Sequence, residues 1–217
     1  MRSISPRGKD SLNALTNNYL CLTPRSSRRR VATKSQFQYH KNRFIVFLPN
    51  KDDVAEAFRR SQSLGIPPSS FTRGVGRMTG FLGEVAFGAY VDEAEYVGEQ
   101  CYSHDYFFRG KKIDVKSKTC TTKPRLNYVA TVNRQESKDP DADIYFFTRV
   151  HKDLSKVWLV GWATQYNATK DKNFKKKGST DNTGFTYLCD GYHMPIRSLR
   201  RPDSFLSLRQ CRKKNRD

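Results

Sequence analysis

The stretch HDYFFRGKKIDVKSK, residues 104–118, sets two aspartates, Asp105 and Asp114, around a glycine and a run of lysines. Carboxylate oxygens suit hard divalent cations, and an ammonium beside them can balance charge on an oxyanion. Spacing matters here. In a strand, side chains two apart share a face, so Asp114 and Lys116 would be neighbours, with Lys112 and Lys118 on the same side and Ile113 and Val115 turned to a core. A hairpin centred on Gly110-Lys111 would pair Phe108 with Ile113, Phe107 with Asp114 and Asp105 with Lys116, setting Asp105 diagonally from Asp114. A one-residue slip would separate them.

A third acid stands upstream. The segment RMTGFLGEVAFGAYV, 77–91, predicts a helix apolar on nearly every side, and Glu84 is its single acid. A buried carboxylate is costly unless it meets a cation. Two carboxylates 4 Å apart repel by roughly 4 kcal/mol at an effective dielectric near 20, so three sharing a site would call for a dication, with Mg²⁺ the expected ion. The plainer alternatives are an exposed hairpin of alternating charge, and Glu84 paired structurally with an arginine.

These residues need elements to hold them. FIVFLP (44–49) reads as a buried strand, and Asn50 as the cap of a helix with Asp52 and Asp53 in its first turn and Val54, Ala57 and Phe58 on one face. Strands are expected at 127–132, 143–150 and 156–164, the last two forming a hairpin across HKDLS, with a late strand at 184–191 and a short closing element at 194–202. This pattern predicts an α/β fold, a mixed central β-sheet flanked by helices with one long helix buried. Residues 1–36 read as a basic N-terminal arm, 37–204 as the folded domain and 205–217 as a basic C-terminal tail.

Composition points to the partner. Forty Lys and Arg against 21 Asp and Glu give a formal charge of +19, which favours polyanions and nucleic acid above all. No apolar run approaches the roughly 18 residues of a membrane span, so a membrane partner is not expected. Five cysteines without a CxxC pair and four scattered histidines argue against zinc or a disulfide frame and for a reducing, cytoplasmic location. The Arg/Ser-rich, acid-poor start also fits an organelle transit peptide, the rival reading of 1–36. GVGRMTG (74–80) lacks the third glycine of a dinucleotide loop, and neither GxxxxGK[ST] nor GxSxG occurs, so no nucleotide cofactor is expected.

Gly83-Glu84 in an apolar helix, Asp105 opening a hairpin and the run IDVKSK carrying Asp114 and Lys116 resemble the core of the PD-(D/E)xK nuclease superfamily, over roughly residues 77–165. His104 stands where that family often has proline, and Asp114 where glutamate is more frequent. The resemblance implies a restriction-endonuclease-like core and a Mg²⁺-dependent DNA endonuclease, with Mn²⁺ able to substitute. Glu84, Asp105 and Asp114 would be metal ligands with the Val115 carbonyl, and Lys116 would orient the attacking water and stabilise the phosphate. Lys111, Lys112 and Lys118 would touch backbone phosphates, a homodimer would suit cutting of both strands, and a phage, other virus or mobile element is the expected source. Alternatives are an RNA nuclease or DNA exonuclease of the same fold, and a non-catalytic nucleic-acid-binding or structural basic protein.

Overall fold

The computed structural model describes residues 36–39, 43–63, 76–98, 101, 103–134, 142–182 and 184–209. The expected basic arm, apart from Gln36, lies outside the described residues, as does the chain beyond Arg209.

Among the described residues, ten strands and three α-helices follow one another: β1 (Phe37–Tyr39), β2 (Ile45–Phe47), α1 (Lys51–Ser63), α2 (Arg77–Tyr90), β3 (Glu95–Tyr96), β4 (Tyr106–Phe108), β5 (Lys111–Cys120), β6 (Val129–Asn133), β7 (Ile144–His151), β8 (Val157–Thr164), α3 (Gln165–Ala168), β9 (Phe174–Lys175) and β10 (Gly191–Pro195). Seven strands form one mixed sheet in the order β1-β2-β8-β7-β5-β4-β3, and β6-β10-β9 form a second. Among the described strands, β5 and β7 pair parallel and the other pairings are antiparallel. The β7–β8 hairpin lies where expected.

The strand alternation splits β5 and β7 between two cores. Ile113, Val115, Phe146 and Val150 face α2 and pack with Phe81, Leu82, Val85 and Phe87. Tyr145 and Phe147 turn to the other face, where they meet Ala130, Val132 and Met194 of the second sheet. The continuous apolar runs in β7 and β8 thus reflect strands covered on both sides.

Helix α2 lies almost against the sheet because its contact positions are glycines. A Cβ on Gly83 would sit 1.9 Å from Ser117 Oγ and 2.5 Å from Thr148 Oγ1, and one on Gly88 would sit 2.6 Å from Tyr106 Oη. Helix α1 begins as expected: Asn50 Oδ1 accepts from the Asp52 and Asp53 N–H groups, and Asp53 Oδ2 accepts from Asn50 N in return. Its inward face differs from the expected one. Ala57 is buried and Val54 packs on the core as expected, but Phe58 is 54% exposed, and Asp53 and Ser61 point inward with Ala57.

Two further expectations are corrected. No strand spans 184–191; its described residues form turns and one isolated bridge, Thr180 to Thr186, and the late strand is β10. The basic tail does not begin at Phe205, which is fully buried, stacks its ring on Phe108 and meets Phe87, Phe146 and Trp162 edge-on. The aromatic character of Phe205 outweighed the basic residues that follow it.

Candidate functional site

The β4–β5 hairpin turns at Arg109-Gly110, one residue earlier than expected. Both turn residues have positive φ, 50° and 74°, the requirement of a two-residue type I′ connection. Arg109 tolerates this because its guanidinium is tied to the Leu206 and Leu208 carbonyls. The register is therefore Tyr106 with Ile113, Phe107 with Lys112 and Phe108 with Lys111, so Asp105 does not pair with Lys116. The displacement is two residues, which preserves the faces: Asp105 now lies level with Asp114, just past the end of the ladder.

There the Asp105 carboxylate does the work of the missing strand. Its Oδ2 accepts the Val115 N–H at 2.6 Å, and its own N–H donates to the Ile113 carbonyl at 2.9 Å. Since the N–H and C=O of one strand residue point the same way, the Val115 carbonyl also faces this edge. On the face away from α2, Lys116 Nζ binds Asp114 Oδ2 at 2.7 Å. From the helix side comes Glu84, 9% exposed, with Oε2 3.9 Å from Arg60 Nη1.

Arg60 is the site residue that the sequence reading missed. Its guanidinium lies 3.8 Å over the Tyr96 ring, and its Nε binds Glu56 at 2.8 Å. The signal was present in α1, where Arg60 follows the buried Ala57 by three and the buried Asp53 by seven, on one helical face. Tyr106 braces the corner by donating its hydroxyl to the Glu84 carbonyl oxygen at 2.8 Å.

The electrostatics join these groups. Burial pushes the Glu84 carboxyl well above the usual range, with Asp105 and Asp114 adding to the rise and Arg60 and Lys116 opposing it. Burial and then Asp114 push Asp105 up to about 7, against the pull of Lys116, the Val115 N–H and Arg60. Burial works against the charge on Lys116, but Asp114, Asp105 and Glu84 outweigh it and hold its pKa above the ordinary lysine value. Three carboxyls thus share one field with two cations.

They do not share one coordination sphere. Among the described residues no three His, Cys, Asp or Glu side chains are grouped to hold a metal ion. The reason is visible in the contacts: Glu84 is turned to Arg60, Asp105 to a peptide N–H and Asp114 to Lys116. The donor set nevertheless suits a hard dication. All donors are oxygens, and two carboxyls are raised by burial and then by the negative charge around them, the second of which a dication would relieve.

The three expected phosphate contacts stand differently. Lys111 lies 3.6 Å from Asp143, whose other oxygen accepts the Lys112 backbone N–H at 2.9 Å. Lys118 donates to Thr131 Oγ1 at 2.6 Å, on the same face as Asp114 and Lys116. No helix among the described residues is long and apolar enough to cross a membrane. No family model matches the chain, and no curated protein sequence matches it either.

Proposed function

We propose that this protein is a Mg²⁺-dependent DNA endonuclease with a restriction-endonuclease-like core. The observation that carries the reading is the cluster just described: three carboxyls, with Arg60 and Lys116 as their two cations, gathered where β4 begins in a chain of net charge +19. A polyanion-binding protein has little use for a partly buried acidic cluster unless a cation is held there.

In this reading Asp105, Asp114 and the Val115 carbonyl hold the ion, Glu84 binds it directly or through water, and Lys116 lies beside the phosphate. The bound dication supplies Lewis acidity and a more acidic water. The chain's own residues do the rest. Lys116, already held cationic by its neighbours, offers charge where the phosphate oxygens become more negative. Arg60 opposes the upward push of burial on Glu84, and at 3.9 Å its guanidinium leaves the carboxyl open to exchange partners. Mn²⁺ serves as a substitute ion.

The test uses supercoiled and single-stranded circular DNA with Mg²⁺ or Mn²⁺. Nicked and linear products are expected from wild type, with loss of at least 100-fold in Asp114→Asn and Lys116→Ala at unchanged folding. An exonuclease would spare closed circles, and cleavage of RNA alone would move the substrate. A structural rival gains support from the Arg60–Glu84 pairing, which can be read as a salt bridge and nothing more. It predicts a wild type that binds nucleic acid and cuts neither DNA nor RNA with either ion.

A further inference from the structure

Two residues along β5 from Lys116, the same face carries a second arrangement of charge with the opposite imbalance. Lys118 and Arg149 are direct partners in the parallel register of β5 and β7, two cations side by side on adjacent strands. Like charges so placed repel. Arg149 is 9% exposed, its Nη2 donates to the Val129 carbonyl at 2.6 Å, and its guanidinium lies 6.0 Å from the Tyr128 ring centre. Neither residue has a carboxylate partner among the described residues; burial acts most against the charge on each, and Arg149 adds to that effect on Lys118.

The amino group of Lys118 is aimed by a relay from the second sheet. It donates to Thr131 Oγ1, which lies 3.3 Å from His193 Nδ1 across the β6–β10 pairing. Burial, with Lys118 and Lys175, pushes the His193 pKa down to about 4, so the ring is neutral and adds orientation rather than charge. A crowded cation is expensive without a counter-ion, and two with no acid between them leave a place for an anion.

We propose that Lys118 and Arg149 form a phosphate subsite, with Thr131 and His193 as positioning residues, that holds a phosphate of the same nucleic-acid strand whose neighbouring phosphate lies at Lys116. The ligand class rests on the nuclease reading, but the subsite itself does not require cleavage. The strand would then run along β5, between the second sheet and the β4–β5 hairpin.

The experiment measures binding of a fluorescein-labelled duplex to the full chain in EDTA, by anisotropy over a range of salt. Lys118→Ala should weaken binding roughly tenfold near 0.1 M salt, uniformly across sequences, and lower the salt slope by about one. Arg149→Gln should do the same, and the double variant little more than the two effects combined. Lys118 is accessible enough for its truncation to leave the fold intact, which keeps the test decisive if Arg149→Gln does not fold. Wild-type affinity and slope in folded Lys118→Ala would overturn the subsite, as would absence of binding by wild type. Binding that depends on Lys118 in a protein that cuts nothing would retain the subsite and remove the nuclease.

Discussion

At the scale of single residues, the site is a balance between buried acids and the cations that oppose them. Asp105 has a folded pKa near 7, against about 3.8 in an unfolded chain, and Glu84 is raised as well. The folded protein therefore binds more protons than the unfolded chain between about pH 4 and pH 7, and stability from these groups falls as pH rises through that window. Without divalent ions, the melting temperature should decline from pH 5 to pH 8, and Asp105→Asn should flatten the decline. Added Mg²⁺ should raise the wild-type value most at the alkaline end, and a wild-type profile that rises with pH in EDTA would contradict the assignment. Arg60 gives a second prediction. Arg60→Met leaves Glu84 buried without its cation and should cost about 2–4 kcal/mol in urea unfolding, much of it recovered by adding Glu84→Gln.

Asp105, Asp114 and Glu84 were legible in the sequence because acids amid apolar alternation are conspicuous, and the structure brings them into one field. Their partners were less so. The Arg109-Gly110 turn was misplaced because Arg109 is held at positive φ by carbonyls almost a hundred residues away, at Leu206 and Leu208. Arg60 went unseen because its helix face was assigned from Val54, Ala57 and Phe58, whereas Phe58 is 54% exposed and the buried stripe runs through Asp53, Ala57 and Ser61. Local pattern reports which residues prefer burial, and neither of these positions was decided by that preference.

Among elements, α2 and β5 decide the geometry. Arg77–Tyr90 formed within one residue of its expected end, since a helix that is apolar on all sides admits one environment. The second sheet was not anticipated: β9 and β10 are short, and the pairing of β10 with β6 joins segments about sixty residues apart. The close seat of α2 gives a prediction of its own. Gly83→Ala should destabilise by roughly 1–3 kcal/mol, because Ser117 Oγ and Thr148 Oγ1 occupy the space of the new methyl. A Ser117→Gly background should lessen that cost, measured by the same unfolding transitions. Because Glu84 follows Gly83 directly, the substitution should also lower cleavage beyond what its stability loss explains.

On the scale of the whole molecule, the excess of 19 positive charges favours polyanions with an attraction that falls steeply with salt, while the proposed cleavage would depend on one small acidic edge. Binding and cleavage should therefore separate: Asp114→Asn should keep or improve DNA affinity in EDTA while losing cleavage, as removal of a negative charge beside a phosphate predicts. Equal loss of both would point to misfolding instead.

Phe205 adds a consequence in time. It is the ring around which Phe87, Phe108, Phe146 and Trp162 gather, and it is among the last described residues to be synthesised. A ribosome adding about 5–20 residues per second delivers α2 and β5 several seconds before this keystone. Until Phe205 emerges, the growing chain holds the acids, the ammonium and the basic strand surface but lacks the core that sets their spacing. Under the proposed nuclease reading, a nascent polypeptide would be unable to cut the nucleic acid around it until its translation had passed that point.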